Sequence, residues 1–195
     1  LDLKALPAAA QFSPAHAFRI KAPPGRHVYV RVSKGAESFG GFVLAKDWSA
    51  VLAVPEFPVE VGLVGDGAVL SLGGDKRLGV TARGLPALRV ELSRVRPDQI
   101  NHLVSQSNGR FKNPDFRWGF GPDNLSEAFT EILPLRLGDP AKTQYAAVDL
   151  GRYMAGGEAR GLFFLRVEGW DPVRKHRVGP VDERMVLVPD LGLIV

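Results

Sequence analysis

The sequence predicts an all-β protein built from two consecutive antiparallel β-sandwich domains, with one short helix in the second. The first observation is a hydrophobic period of two. It is clearest in the segments HVYVRVS (residues 27–33) and ALRVELSRV (residues 87–95), where valine or leucine occupies every second position. This alternation is typical of strands with one buried face.

The second observation is the number of short apolar runs and the turn residues between them. Further runs occupy residues 41–46, 59–64, 68–72, 78–83, 144–150, 161–169 and 184–188. The sequences PPG, GDG, GGDK, GGEARG and DPVRKHRVGP separate many of the runs and supply the glycine and proline that turns require. Close spacing of this kind favours antiparallel sandwiches over β-α-β units.

One segment departs from this pattern. RPDQINHLVSQSNG has Pro97 where a first helical turn accepts it, apolar Ile100, Leu103 and Val104 at helical spacing, and Gly109 as a stop. The spacing predicts a short helix over about residues 97–106.

The domain boundary is expected in ARGLPALRV, where Gly84 and Pro86 separate two strand-like runs. A division there gives one sandwich over residues 1–84 and a second over 85–190. The chain closes on ERMVLVPDLGLIV, and the final apolar run, Leu191 to Val195, is expected to begin a following domain.

Composition excludes several classes of function. The chain has 195 residues and no cysteine, which excludes disulfides, thiol nucleophiles, cysteine-ligated metals and a thioester within it. The net charge of +4, from 25 basic and 21 acidic residues, is too small and too evenly spread to predict nucleic-acid binding. No apolar stretch approaches the roughly 20 residues needed to span a bilayer, so no membrane contact is expected.

No catalytic, cofactor or metal site is predicted. The four histidines, His16, His27, His102 and His176, are far apart in sequence and lack partners at metal-ligand spacing. The chain has no Gly-x-Ser-x-Gly motif, and the glycine-rich KGAESFGG lacks the Gly-Lys-Ser/Thr ending of a phosphate-binding loop.

Two segments are candidates for protein contact. The segment FKNPDFRWGFG contains four aromatic residues, and RKHR (residues 174–177) is a tight basic cluster in a hairpin-like sequence. The candidate contact residues are Phe111, Phe116, Trp118, Phe120, Arg174, Lys175 and Arg177. Two interpretations stay open: the rings fold back on their own domain and the basic cluster is a solvated tip, or these residues dock on another domain or protein.

Three stretches together resemble the N-terminal portion of bacterial α2-macroglobulins. They are residues 51–107, which include RGLPALRVELSRVRPDQINHLVSQS, the segment YAAVDLGRYMAGGEARGLFFLRVEGW, and the terminal DERMVLVPDLGLIV. The resemblance extends over roughly residues 50–195 and implies that both predicted sandwiches are macroglobulin-like domains. It also implies a periplasmic parent protein, tethered to the inner membrane through a lipid anchor outside this fragment, that entraps or inhibits proteases.

The family's bait region and its Cys-x-Glu-Gln thioester motif cannot be transferred to this sequence. The function expected from the resemblance is therefore a non-catalytic structural fragment, with no cofactor. Its partners would be the remaining domains of the parent chain and, through the full-length protein, target proteases. The alternative is a β-sandwich binding module that recruits another cell-envelope protein, and an enzyme is the third and least favoured class.

Overall fold

The computed structural model describes residues 3–6, 17–38, 40–66, 69–116, 120–136, 138–154 and 159–190. Within these ranges the chain forms eleven strands, one α-helix and three short 3-10 turns. All paired strands are antiparallel. The predicted all-β fold class with one short helix is confirmed. The predicted start of a following domain, residues 191–195, lies outside the described residues.

The elements follow one another along the chain in this order. The strands are β1 (Leu3–Ala5), β2 (Phe18–Ile20), β3 (His27–Val32), β4 (Trp48–Ala53), β5 (Glu60–Leu63), β6 (Arg77–Arg83), β7 (Ala87–Val95), β8 (Leu125–Pro134), β9 (Gln144–Asp149), β10 (Gly161–Asp171) and β11 (His176–Val188). The helix α1 (Ile100–Gln106) lies between β7 and β8 and follows a 3-10 turn at Pro97–Gln99.

The chain divides into two compact units, Leu1–Phe57 and Pro58–Val195. In the first unit β1 pairs with β2 and β3 pairs with β4. Val28 alone is buried among the described residues of this unit, whereas Phe42 and Trp48 are 77% and 52% exposed. Two-stranded sheets bury little apolar area, so this unit has a small core.

The second unit is a two-layer sandwich. One layer is a four-stranded sheet in the order β11-β10-β7-β8, and the other is a three-stranded sheet in the order β5-β6-β9. Alternate residues of both layers meet in one apolar core. Its fully buried members include Val80, Leu85, Leu88, Leu92, Val148, Leu150, Leu165, Val167, Val186 and Val188.

The expected boundary between residues 84 and 85 differs from the division in the structure. Gly84 has a φ of +68° and forms a turn, as its sequence indicates. The strand before this turn, β6, pairs with β9, more than 60 residues later in the chain. Its Val80 and Ala82 pack in the same core as Leu88 of β7. The turn therefore joins the two layers of one sandwich, and residues 1–84 and 85–190 are not separate units.

Several strand predictions also need correction. Residues 41–46 and the described part of the second run, 69–72, form only isolated bridges, at Val43 and Val69. The runs predicted at 27–33, 59–64, 78–83, 88–92, 144–150, 161–169 and 184–188 coincide with strands. Strands β1, β2, β4 and β8 lie outside the runs predicted from the sequence.

The helix is placed and bounded as predicted. Leu103 is buried, and Ile100 and Val104 pack beside it on the four-stranded sheet. Gly109, with a φ of +71°, donates its backbone N–H to the carbonyl of Val104 at 3.3 Å and ends the helical segment.

The connection after the helix also covers part of the free edge of β11. The backbone N–H of Met185 donates to the carbonyl of Phe111, and that of Asn113 donates to the carbonyl of Glu183, both at 2.7 Å. Pairing of this kind protects a sheet edge from other chains. It also holds the aromatic connection against the sheet.

Candidate contact surface

The four-stranded sheet directs one face to the core, and its outer face carries the candidate surface. Helix α1 and parts of the connection described at 107–116 and 120–124 cover one half of this outer face. Their apolar side chains form a second cluster with the sheet. Its buried members are Val95, Leu103, Leu162 and Met185, and the side chains packed against them are Ile100, Val104, Phe111, Phe116, Phe120, Leu125, Phe164 and Leu187.

Three of the four predicted aromatic contact residues pack in this cluster. The rings of Phe116 and Phe120 stack with centroids 4.7 Å apart, and Phe120 lies 4.7 Å from Phe164 of β10. Phe111 is partly buried in the same cluster. The fourth residue, Trp118, lies outside the described residues. The three described rings thus cover their own sheet, and contact with another protein remains a prediction for their exposed parts.

The other half of the outer face has a charge ladder, formed by Arg89, Glu91, Arg166, Glu168 and Glu183. In the sheet register, Arg89 lies opposite Glu168 and Arg166 lies opposite Glu91. Glu168 forms salt bridges with both guanidinium groups. Its Oε1 lies 3.4 Å from Nη1 of Arg89, and its Oε2 lies 3.2 Å from Nη2 of Arg166. Its side chain is only 4% exposed because the two arginines lie over it.

The other two glutamates of the charge ladder, Glu91 and Glu183, are more exposed to solvent than Glu168. Glu91 pairs with Arg89, and Oε1 of Glu183 lies 3.7 Å from Nε of Arg166. Their side chains are 28% and 31% exposed. Two arginines against three glutamates leave the charge ladder with one excess negative charge.

A groove of about 360 Å³ lies where the aromatic cluster meets the charge ladder. One side is apolar and aromatic, and the other is charged. The lining residues are Glu91, Ser93, Phe116, Phe120, Leu125, Phe164, Arg166 and Glu183. The groove therefore offers aromatic carbon and carboxylate oxygen to the same ligand.

The basic cluster is a hairpin tip between β10 and β11, as its sequence indicates. Arg174, Lys175 and Arg177 are exposed. Oδ1 of Asp171 accepts the backbone N–H groups of Val173 and Arg174, each at 2.9 Å. The hydrogen bond from the backbone N–H of Arg174 is the main cause that lowers the pKa of Asp171 below its ordinary value. The carboxylate is therefore ionised at neutral pH and keeps both hydrogen bonds of the turn.

The structure does not bring the three basic residues of the hairpin and the aromatic cluster into one site. The groove is lined by rings and by the charge ladder, and none of Arg174, Lys175 and Arg177 is among its residues.

Among the described residues no group of three or more His, Asp or Glu side chains is placed to hold a metal ion. No helix in the described part of the chain has the length and hydropathy of a membrane span.

The charge ladder is absent from the sites predicted from the sequence. The signal was present as the tripeptides Arg89-Val-Glu91 and Arg166-Val-Glu168. Such a pattern places two opposite charges on one face of a strand. Antiparallel pairing of two such strands brings each arginine opposite a glutamate. Which strands would pair could not be read from the local sequence.

Comparison with known proteins gives a consistent likeness. No family model matches the chain. An alpha-2-macroglobulin of Rickettsia conorii is 32% identical over 188 residues, which cover 92% of this chain and 10% of that protein. An alpha-2-macroglobulin homolog of Yersinia pestis is 28% identical over 198 residues, with 94% and 10% covered.

A solved structure agrees in fold. The crystal structure of native alpha-2-macroglobulin from Escherichia coli spanning domains MG0-NIE-MG1 matches with a TM-score of 0.53 at 16% identity. The match covers 97% of this chain and 60% of that one. The chain spans about a tenth of the length of the curated relatives it matches.

Proposed function

Because the chain is related over most of its length to bacterial alpha-2-macroglobulins, we propose that it serves as a non-catalytic structural module of such a protein. In this role it contributes scaffold to a parent chain that traps or inhibits proteases. Its partners are the remaining domains of that chain and, through the whole protein, the target proteases.

The single observation that supports this role best is how the second unit uses its side chains. The inner faces of both sheets meet in one core that is mostly apolar, with Arg184 of β11 buried in it and Glu127 and Glu131 of β8 at its edge. On the outer face, the most buried charged residue, Glu168, is paired with two arginines of the same sheet. Glu168 thus links β10 to β7 through Arg89, and it binds Arg166 within β10.

The proposed location is the periplasm. The parent protein would be tethered to the inner membrane through a lipid anchor outside these 195 residues. The likeness to bacterial alpha-2-macroglobulins supports the first part of this proposal, and cell fractionation with antibody against this segment tests both parts.

The second candidate is a binding module that recruits another cell-envelope protein. The exposed hairpin favours it, since Val173 is 88% exposed beside the basic residues Arg174 and Lys175. Pull-down from an envelope extract distinguishes the two functions when wild type is compared with an Arg174→Ala, Lys175→Ala, Arg177→Ala variant. A scaffold role predicts the same set of captured proteins for both. A recruiting role predicts that wild type captures at least one protein that the variant does not capture.

The scaffold role predicts that the isolated 195-residue chain does not inhibit proteases. At a one-to-one ratio with trypsin or elastase, cleavage of a large protein substrate should proceed at the uninhibited rate. The full-length parent protein should slow the same cleavage under the same conditions.

Substrate competition must be controlled, because an unstable chain would itself be digested. Gel electrophoresis of the chain at successive times in the same assay separates competition from inhibition, because only a competing substrate is consumed. Stoichiometric inhibition by a chain that stays intact would contradict the scaffold role.

A further inference from the structure

We propose that the groove between the aromatic cluster and the charge ladder binds a lysine side chain from another polypeptide segment. The occupant would be an alkyl stem ending in a primary ammonium. This site is separate from protease trapping, and its test needs no protease.

The first reason is the aromatic wall. Phe116, Phe120 and Phe164 form a continuous ring cluster, with Phe116 and Phe164 centroids 6.0 Å apart. A lysine places a four-carbon stem against such carbon surface and keeps its ammonium in a polar environment. The faces of aromatic rings also attract a cation.

The second reason is the charge of the opposite wall. Glu168 already binds both arginines of the charge ladder. Glu91 and Glu183, the two accessible carboxylates, together carry the remaining negative charge. The longest contact of the ladder, 3.7 Å, joins Glu183 to Arg166, so the Glu183 carboxylate is the one held least closely. An incoming ammonium would restore neutrality at that point.

The third reason is size. A groove of about 360 Å³ has room for about twelve water molecules at roughly 30 Å³ each, which exceeds the space that one side chain needs. The groove is lined from β7, β8, β10 and β11 and from the connection after α1, so the sheet register fixes the positions of the walls that the strands supply. A rigid site loses less entropy on binding.

The choice of a polypeptide source rests on the proposed function: most of the length of the curated relatives lies outside the matched segment, and the proposed parent chain would have a similar length. A parent chain of that length presents many surface lysines at high effective concentration. A free diamine such as putrescine presents the same ammonium chemistry and is the competing source.

The test is an NMR titration of the ¹⁵N-labelled chain with Nα-acetyl-lysine N-methylamide. Saturable shifts are expected at the amides of Ser93, Phe164 and Glu183. The norleucine analogue, which has the apolar stem without the charge, should bind about fivefold more weakly or worse. Added salt should weaken the lysine probe only.

Two variants locate the site. Glu183→Gln removes one charge without changing side-chain size and should weaken the lysine probe about fivefold. Asp75→Asn removes the same charge at an exposed position that does not line the groove and should leave binding unchanged. Melting temperatures of both variants near wild type exclude unfolding as the cause.

Three results would overturn the proposal: equal binding of the norleucine probe, lysine-induced shifts confined to other residues, or unchanged binding in Glu183→Gln. Tighter binding of putrescine than of the lysine probe would overturn the polypeptide source.

Discussion

Replacing Gly169 with alanine is expected to destabilise the second unit by about 3 kcal/mol. Gly169 lies in β10 at an irregularity of its pairing with β11. A Cβ atom there would lie 2.2 Å from the backbone carbonyl oxygen of Val178 and 2.6 Å from Cδ2 of Leu85. Because a backbone atom cannot move aside as a flexible side chain can, strand separation is required to relieve the overlap.

Whether a glycine-to-alanine change stabilises or destabilises the protein depends on what the added Cβ atom contacts. A glycine-to-alanine change in unstrained backbone normally stabilises by about 0.4–1 kcal/mol, since it reduces the entropy of the unfolded chain. Gly73→Ala is the matched control, because its Cβ would meet nothing within 4 Å. Thermal and urea unfolding of the two variants measure the difference. A melting temperature of Gly169→Ala equal to wild type would refute the predicted overlap.

Local sequence predicted those parts of the fold that depend on neighbouring residues. The period of two identified β3 and β7, and helical spacing identified α1. The turn at Gly84 was also correctly recognised as a turn. Whether a turn separates domains depends on the later partner of the preceding strand. Here that partner is β9, and no local pattern specifies it.

Strand β8 was missed for a different physical reason. Its row that faces the sandwich interior contains Glu127 and Glu131 among apolar residues, which breaks the expected alternation. The structure accommodates both carboxylates at the edge of the sheet. Glu127 lies 3.2 Å from Arg94, and Glu131 lies 3.0 Å from Arg152. Glu131 also accepts the hydroxyl of Tyr153, and burial together with this carboxylate raises the pKa of Tyr153.

The candidate surface was predicted in part. The aromatic residues of the connection were identified, but their packing on the outer face of the sheet depends on pairing between Phe111 and Met185. The charge ladder depends on the pairing of β7 with β10. Both features join residues distant in the chain, so the residue types were visible in the sequence while their proximity was not.

The single core of the second unit yields the last prediction. Leu88→Ala is expected to cost about 2–5 kcal/mol, because the side chain is fully buried and leaves a cavity between the two sheets. Since Leu88 shares its core with Val80 and Val148, the amides of β6 and β9 should lose hydrogen-exchange protection together with those of β7. Two independent domains divided at residue 84 would instead leave β6 protected. Ile132→Ala is the control: it removes an apolar side chain from the same sheet, but one that is 47% exposed, and it should change stability by about 0.5 kcal/mol or less.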